Sequence, residues 1–207
     1  MNVNLVKVLQ THNVKPKSVL HVGAHLAQEL HDYKNLGILK GTFIEADPTT
    51  FERLSEILKN EDSFDAIQAL LSDEDGAIEN FFTSSNDGMS SSFLKPGQHL
   101  IEHPEVLFNA TPIQLETKKL DSLNLGFFDL LVIDVQGAEM HVLKGGMHTL
   151  QKAKAVVLEV SIKSLYEGDS TVNEMIAFLN PFGFFPVALK IEPQGWGDCI
   201  FIKVDKK

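Results

Sequence analysis

The chain has 207 residues, of which 43% are hydrophobic, and its 28 acidic and 18 basic residues give a formal net charge of −10. This length suits one α/β domain with a full core, and we predict a single domain over 1–207. An acidic surface with scattered basic residues repels polyphosphates, which argues against nucleic acid as a partner and against binding to a membrane through a polybasic patch. The charge favours a small or neutral partner.

No run in the sequence approaches the roughly 18 to 20 apolar residues that span a bilayer. The first residues also lack the apolar centre and cleavage site of a signal peptide. We therefore predict no membrane insertion and a cytoplasmic location. Cys199 is the only cysteine, which excludes an internal disulfide and a thiolate zinc cluster. Its apolar setting, DCIFIKV, predicts a buried structural thiol.

Hydrophobic patterning predicts alternating helices and strands in the first half of the chain. Pro48 is a favourable first residue for a helix, because its missing N–H would have no partner there. The predicted helices are at about 3–13, 26–36 and 49–59, and the predicted strands at about 18–23, 41–46, 64–71 and 77–83.

The second half of the chain continues the alternation. FDLLVIDV, at 128–135, is apolar on both faces, as a central parallel strand should be. The other predicted strands are at about 113–117, 154–160, 184–189 and 198–204, and the predicted helices start at about 138 and 171. The last two strands suggest an antiparallel end. The whole predicts an α/β fold, an open and mainly parallel sheet with helices on both faces.

Residues 84–112 differ from the rest, because serine, glycine, proline and histidine are dense there and periodicity is weak. A loop this long inside a domain is usually functional or disordered. Its apolar residues predict a packed, lid-like insertion: Phe93, Leu94, Leu100, Ile101, Leu107 and Phe108. Ser91, Ser92 and His99 in this segment are candidate contacts to a hydroxylated substrate. The apolar residues could close over a substrate or pack against a second subunit, which leaves a homodimer open.

The first strand and turn indicate a nucleoside site. Gly23 follows the first apolar run, and Glu45 ends the second strand about 20 residues later, where a carboxylate can accept hydrogen bonds from both ribose hydroxyls. We expect the ligand to occupy the space where a Cβ at position 23 would lie, so that only glycine fits there. His25 and Gln28 occupy the second and third glycine places of a dinucleotide fingerprint, and a side chain at 25 would crowd a pyrophosphate. The loop therefore favours S-adenosylmethionine, and an NAD-linked oxidoreductase is the alternative.

Four stretches of the sequence resemble the FkbM family of S-adenosylmethionine-dependent methyltransferases: VLHVGAHLAQE, FIEADP, LLSDEDGAI and FDLLVIDVQGAEMHVLKGG. The resemblance implies a class I methyltransferase (Rossmann-like) fold with seven strands, the last antiparallel. It also implies O-methylation of a hydroxyl on a sugar, glycan or natural product. The family usually has glycine where Ala27 stands. We expect Ala27 to be tolerated there if its backbone is helical.

Ligands of open α/β sheets bind outside the carboxyl ends of the strands. By chemistry and by resemblance, Glu45 should bind the donor ribose. The resemblance places adenine contacts at Ser72 and Asp73. The backbone of Gly23, Ala24 and His25 would line the methionine part.

Methyl transfer to an alcohol needs a base within hydrogen-bond reach. Asp134 is the first candidate because it ends the central strand, although it could instead bind the donor ammonium. Glu139 and His99 are further catalytic candidates, since histidine has a pKa near neutral. Glu159, at another strand end, is a candidate substrate contact.

A divalent metal held by Asp134, Glu159 and a lid histidine is compatible with these residue types, although nothing in their spacing requires one. A further alternative is a non-catalytic domain that binds an adenosyl ligand without turnover. The acceptor itself cannot be read from the sequence.

Overall fold

The computed structural model describes residues 3–204 of the chain. Its helices are α1 (Leu5–Thr11), α2 (Leu30–Asn35), α3 (Pro48–Leu58), α4 (His99–Glu102), α5 (Glu139–Gly145), α6 (Met147–Lys152) and α7 (Val172–Leu179). Its strands are β1 (Ser18–Val22), β2 (Lys40–Glu45), β3 (Phe64–Gln68), β4 (Leu70–Leu71), β5 (Ile78–Phe81), β6 (Ile113–Lys118), β7 (Leu130–Ile133), β8 (Ala155–Ser161), β9 (Phe184–Ile191) and β10 (Trp196–Lys203). Short 3-10 helices occur at Asp121–Leu123 and Asn180–Phe182.

Seven strands form the main sheet in the order β3-β2-β1-β7-β8-β10-β9. The first five are mutually parallel, whereas β10 is antiparallel to both of its neighbours. This confirms the predicted fold class, including the antiparallel last strand. The strand order reverses between β1 and β7, so their carboxyl ends flank a crevice where open α/β sheets bind ligands.

The core lies on both faces of the sheet, as the apolar strands predicted. Along β7, Leu130 and Val132 pack into one hydrophobic cluster, and Leu131 and Ile133 pack into the other. All four side chains are buried, because successive residues of a strand point to opposite faces and helices cover each face. Cys199 is buried within the cluster that contains Leu131 and Ile133, as predicted.

Two helices begin at the capping residues that the sequence supplies. The side chain of Asp47 accepts the backbone N–H of Thr50, and Pro48 is the first residue of α3. A capping box joins Thr171 and Glu174 at the start of α7. These caps fix the direction in which each helix leaves the ligand-binding edge of the sheet.

The third predicted strand, 64–71, is divided in the structure. β3 pairs with β2 in the main sheet, whereas β4 pairs with β6 in a separate three-stranded sheet that also contains β5. Ala69 connects the two, and its N–H donates to the carbonyl of Glu45. One continuous apolar run therefore serves two sheets.

The helix predicted at 26–36 begins only at Leu30. His25 and Ala27 have φ angles of 46° and 54°, in the left-handed region that interrupts a right-handed helix. The expectation that Ala27 is helical was wrong. Ala27 stands at a backbone conformation that favours glycine, which is the residue usual in the family that the sequence resembles.

The segment 84–112 lies across the edge of the sheet and is tied down by isolated bridges between Phe82 and Ser92 and between Ser84 and Phe108. Part of it packs as predicted. However, Leu100, Ile101 and Leu107 are 51%, 70% and 66% exposed, so the packed-lid prediction was wrong for these three side chains. Within residues 3–204, none of the helices has the length and apolar character to cross a membrane.

Candidate active site

Two cavities open side by side at the carboxyl ends of the parallel strands. The first cavity has a volume of about 360 Å³ and is lined by the ends of β1, β2 and β7. The second cavity, of about 290 Å³, is lined mainly by the 84–112 segment and by residues 159–169. Both fall near the lower end of the range for small-molecule sites. Four residues line both cavities and form their shared wall: Met89, Gln136, Glu159 and Trp196.

Gly23 brings the turn after β1 against the neighbouring strand. Its φ is 74°, and a Cβ built on it would lie 1.6 Å from the carbonyl oxygen of Asp134. The predicted reason for this glycine, space for the ligand, is therefore corrected: the space belongs to the backbone after β7. Gly23 and Ala24 donate their N–H groups to the carbonyl of Ile44, so the turn is held between two strands.

Two backbone N–H groups hold the carboxylate of Glu45 in the first cavity. Its Oε2 accepts the N–H of His25 and its Oε1 accepts the N–H of Asp47, each at 2.9 Å. Burial raises the pKa of Glu45, and these two hydrogen bonds oppose that rise. A carboxylate has about four acceptor positions, so both oxygens can still accept hydroxyl donors from a ligand. The geometry suits the predicted ribose contact.

The opposite wall of the first cavity is apolar. It is formed by Ile44, Ala69, Leu70, Leu71, Phe81 and Phe93. Ser72 and Asp73, the predicted adenine contacts, lie outside this lining. Asp73 is engaged instead by His141 at 3.0 Å and by the hydroxyl of Ser72 at 3.2 Å, and the hydrogen bond from His141 lowers its pKa. The residues of β4, Leu70 and Leu71, line the cavity in their place.

Acidic side chains outnumber basic ones in the lining of the first cavity. Five carboxylates line it, and its described lining contains no lysine or arginine. They are Glu29, Glu45, Asp134, Glu159 and Asp198. Close carboxylates in a partly enclosed space produce a potential that attracts cations and repels anions. The first cavity is therefore suited to a ligand with positive charge.

Gln136 connects two of these carboxylates across the shared wall. Its Nε2 donates to Asp134 Oδ1 at 2.9 Å and to Glu159 Oε2 at 2.7 Å. The hydroxyl of Tyr166 lies 3.2 Å from Gln136 Oε1 and donates to the carbonyl of Ser90 at 2.9 Å. Burial raises the pKa of Asp134 to about 6 and raises that of Glu159 well above its ordinary value. Burial therefore makes both acids easier to protonate than they would be in water.

Glu139 has a structural task that its sequence position did not reveal. Its Oε1 accepts the N–H groups of Val135 and Gly137, at 3.0 and 3.2 Å, and the residue is buried. These bonds fix a turn in which Gln136 has a φ of 55°. Glu139 lines the second cavity and not the first. Glu139 thus holds the turn that carries Gln136, and its catalytic role stays a prediction.

The predicted substrate contacts of the 84–112 segment divide between the cavities. His99 lines only the second, whereas Ser91 and Ser92 line only the first. The Ser91 hydroxyl accepts the N–H of Ser84, and the Ser92 hydroxyl accepts the N–H of Leu94. Burial lowers the pKa of His99 to about 4, which leaves it uncharged at neutral pH and a weak base. The second cavity is instead reached by Ser90.

The residues present do not fit a divalent metal. No group of three or more histidine, cysteine, aspartate or glutamate side chains in the described part of the chain is arranged to hold a metal ion. Between Asp134 and Glu159, the amide of Gln136 supplies the hydrogen-bond donors that a cation would replace.

Several functional candidates were missed from the sequence. They are Gln136, Tyr166, Asp169, Trp196 and Asp198. Gln136 and Gly137 directly follow the strongest strand, which was a usable signal. Trp196 is the only tryptophan and stands between Gly195 and Gly197. Tyr166 and Asp169 lie in an unpatterned connection and gave no signal.

Comparison with known proteins agrees with this geometry. A family model described as the methyltransferase FkbM domain matches residues 21–186. Over 148 residues the chain is 34% identical to the 2-O-methyltransferase NoeI of Sinorhizobium fredii, which covers 67% of this chain and 60% of that protein.

Solved structures share the fold at low sequence identity. A methyltransferase FkbM from Methylobacillus flagellatus has a TM-score of 0.56 at 11% identity, over 91% of this chain and 44% of that one. The Streptococcus pneumoniae protein Sp1610, solved in complex with S-adenosyl-L-methionine, has a TM-score of 0.53 at 10% identity, over all of this chain and 75% of that one. The chain thus spans 60% of the curated relative and less than half of the first structure.

Proposed function

Since the chain belongs to the FkbM methyltransferase family, we propose that it transfers a methyl group from S-adenosylmethionine to a hydroxyl of a sugar, glycan or other natural product. The observation that carries this proposal is the first cavity, which is lined by five acidic side chains and, among the described residues, by no lysine or arginine. S-adenosylmethionine brings a sulfonium and an ammonium, both cationic, so the cavity complements it. The cytoplasmic location stays a prediction.

The donor is oriented by the turn after β1 and the end of β2. Glu45 accepts the two ribose hydroxyls, since its carboxylate is already held by two backbone N–H groups. The adenine ring lies against the apolar wall that includes Leu70, Leu71 and Phe93. The backbone at 23–25 flanks the methionine part. In this orientation the sulfonium faces the shared wall.

The same charge argues against the NAD-linked alternative. NAD carries a pyrophosphate, and dinucleotide sites bind it at a helix N-terminus beside a glycine-rich turn. Here α2 begins at Leu30, away from the turn, and the residue at position 25 is histidine. A pyrophosphate in the first cavity would face carboxylates with no compensating cation from the described lining. No observation favours NAD.

Asp134 is the proposed proton acceptor. The acceptor oxygen forms a bond to the methyl carbon as the carbon–sulfur bond breaks. The sulfur keeps the electron pair, and the hydroxyl proton passes to the Asp134 carboxylate. A pKa of about 6 leaves Asp134 mostly ionised at neutral pH, and Gln136 holds one of its oxygens in place. The protein mainly aligns the three reacting atoms, because the sulfonium already activates the methyl group.

Similarity to a 2-O-methyltransferase supports oxygen as the methylated atom and a small-molecule or glycan acceptor. The alternative function is that of a non-catalytic domain that binds an adenosyl ligand. It would have the same donor site and would differ only in the absence of turnover. Transfer of a labelled methyl group from S-adenosylmethionine to any hydroxylated acceptor separates the two, because the non-catalytic domain would bind the donor and transfer nothing.

Isothermal titration with S-adenosylmethionine, S-adenosylhomocysteine and NAD tests the donor assignment. We expect the two adenosyl ligands to bind and NAD to give no heat. Glu45→Gln should weaken both adenosyl ligands by at least about tenfold, because hydrogen bonds to a charged group are lost. Glu52→Gln, on the exposed face of α3, is the matched control and should bind like the wild type. Binding of NAD alone, or of none of the three, would overturn the proposal.

A further inference from the structure

Three buried side-chain nitrogen and oxygen atoms in the described part of the chain have no hydrogen-bond partner. They are His99 Nδ1, Asp169 Oδ1 and Trp196 Nε1. All three residues line the second cavity. A buried polar group without a partner costs about 1–3 kcal/mol, so such atoms normally have one. Three of them around a single cavity indicate a polar ligand that provides their partners.

Asp169 shows most clearly that the side chains around the second cavity are held in fixed orientations. Its Oδ2 accepts the N–H groups of Leu165 and Tyr166, at 2.8 and 3.0 Å. These bonds fix the carboxylate in one orientation and leave Oδ1 as an acceptor. Gly137 passes close by, with Asp169 Cβ only 3.1 Å from where its own Cβ would stand. A carboxylate held in this way can accept a hydroxyl donor from the cavity.

His99 and Trp196 add complementary chemistry. The His99 ring packs against His103, Phe108 and Tyr166, with centroid distances of 4.8 to 5.4 Å, so its orientation is set by neighbours and not by a hydrogen bond. The indole N–H of Trp196 is only a donor and requires an acceptor oxygen. A hydroxyl group both donates and accepts, and therefore satisfies either residue type.

The lining also limits the charge of the ligand. Four acidic side chains line the second cavity, namely Glu105, Glu139, Glu159 and Asp169, and its described lining contains no lysine or arginine. Burial raises the pKa of Glu139 to about 8 and that of Glu159 well above its ordinary value, so at neutral pH the negative charge of this cavity comes from Glu105 and Asp169. An anionic group placed there would meet like charge without a counterion. A ligand rich in hydroxyls and free of negative charge fits both observations.

We propose that the second cavity is the acceptor subsite and selects an uncharged ring with several hydroxyls, which Asp169, Trp196 and His99 bind. The inference rests on the proposed function, because a hydroxyl of this ring would meet the donor methyl at the shared wall of Gln136 and Glu159. It goes further in assigning the acceptor contacts and in excluding phosphorylated or carboxylated rings from the subsite. Asp169 and His99 line only this cavity and therefore act on the acceptor alone.

Ligand-observed saturation-transfer NMR on the protein loaded with S-adenosylhomocysteine tests the selection. The neutral probes are methyl glycosides of glucose, galactose, mannose and fucose, and the anionic probes are glucose 6-phosphate and glucuronic acid. We expect at least one neutral glycoside to bind and the anionic rings to bind at least about tenfold more weakly. Binding of no neutral probe, or equal binding of the anionic ones, would overturn the proposal.

Asp169→Asn tests the contact itself. The amide oxygen can still accept the N–H groups of Leu165 and Tyr166, while an NH₂ replaces the acceptor Oδ1. We expect affinity for the neutral glycoside to fall by about tenfold or more. Affinity for S-adenosylhomocysteine should stay within about twofold. Trp196→Phe removes only the N–H donor and should weaken the glycoside as well.

Asp62→Asn, on the opposite edge of the sheet beside β3, is the control for the charge change. If Asp169→Asn and Trp196→Phe both bind the glycoside like the wild type, the assignment of the acceptor contacts is wrong. If the wild type does not bind S-adenosylhomocysteine, the proposed function itself is wrong. Failure of the acceptor assignment and failure of the proposed function are therefore distinguishable.

Discussion

The two cavities differ in how the chain builds them. The first is lined by residues that directly follow consecutive parallel strands, such as Gly23 after β1 and Asp134 after β7, and its main acid, Glu45, is held by two backbone N–H groups. The second draws on the 84–112 segment and on 159–169, and three of its polar atoms have no partner. This difference is what we expect of the two proposed sites, because a constant donor can be held by groups fixed on the sheet, whereas a variable acceptor must itself supply partners to the polar atoms that it meets.

Asp134→Asn should have the largest effect on turnover. The amide keeps the shape of the side chain and cannot accept a proton, so methyl transfer should fall by roughly 10²- to 10⁴-fold. The rate of the wild type should fall below about pH 6, because Asp134 becomes protonated there. The check is a steady-state assay with labelled donor between pH 5 and 8. An unchanged rate would show that the base lies elsewhere.

Gly23→Ala should have the largest effect on stability. The new methyl group would overlap the carbonyl of Asp134, and the residue would also have a φ of 74°. We expect a loss of more than about 3 kcal/mol in the free energy of unfolding, measured by urea denaturation. Gly76→Ala is the matched control, because its φ is 81° and no atom lies within 4 Å of the new Cβ. It should lose only about 1 kcal/mol. Equal losses would refute the close approach at Gly23.

His21 and His99 offer a direct comparison, since one lies in the wall of each cavity and burial lowers the pKa of both to about 4. The Nδ1 of His21 is 3.0 Å from the hydroxyl of Tyr33, which is buried. His21→Phe should therefore lose about 1–3 kcal/mol at pH 7, because that hydroxyl loses its partner. His99→Phe should lose little, since its Nδ1 has none. A large loss in His99→Phe would contradict the difference between the cavities.

The contribution of His21 to stability depends on pH and decreases as the pH falls. Between about pH 6.5 and 4, an unfolded histidine binds a proton that the buried His21 does not bind, so acidification favours unfolding. The stability advantage of wild type over His21→Phe should be full above pH 6.5 and shrink by about 3 kcal/mol by pH 4. Thermal unfolding of both proteins across this range measures it. A constant difference would mean that His21 is not held neutral.

Ala27→Gly should have the smallest effect, and it should be stabilising. Ala27 has a φ of 54°, where alanine costs about 1 kcal/mol relative to glycine. We expect a gain of about that size in the free energy of unfolding. Ala177→Gly, at an exposed helical position in α7, is the control and should lose a similar amount. A loss in both variants would contradict the left-handed conformation at residue 27.

The sequence predicted the sheet well, because buried parallel strands such as FDLLVIDV are apolar over their whole length. It also located Glu45 and Asp134, since carboxylates at strand ends point to the ligand edge of an open sheet. It did not predict the division of 64–71 between two sheets. An apolar run does not record which partner strand each residue will pair with.

The second cavity was harder to predict for a physical reason. Asp169, Trp196 and His99 are far apart in the sequence and meet only through the path of loops, which carry no periodicity. The local geometry around Glu139 and Ala27 was not predicted for a different reason. The acceptor role of the Glu139 carboxylate toward backbone N–H groups and the left-handed φ of Ala27 depend on a turn geometry that residue spacing does not specify.

A crystal structure of the protein in complex with S-adenosylhomocysteine would test the assignment of the cavities most directly. We predict the nucleoside in the first cavity, both ribose hydroxyls within hydrogen-bond distance of Glu45, and the sulfur facing the wall of Gln136 and Glu159. The second cavity should stay free of the ligand. A nucleoside bound in the second cavity, or a sulfur turned away from the shared wall, would contradict the division into donor and acceptor sites.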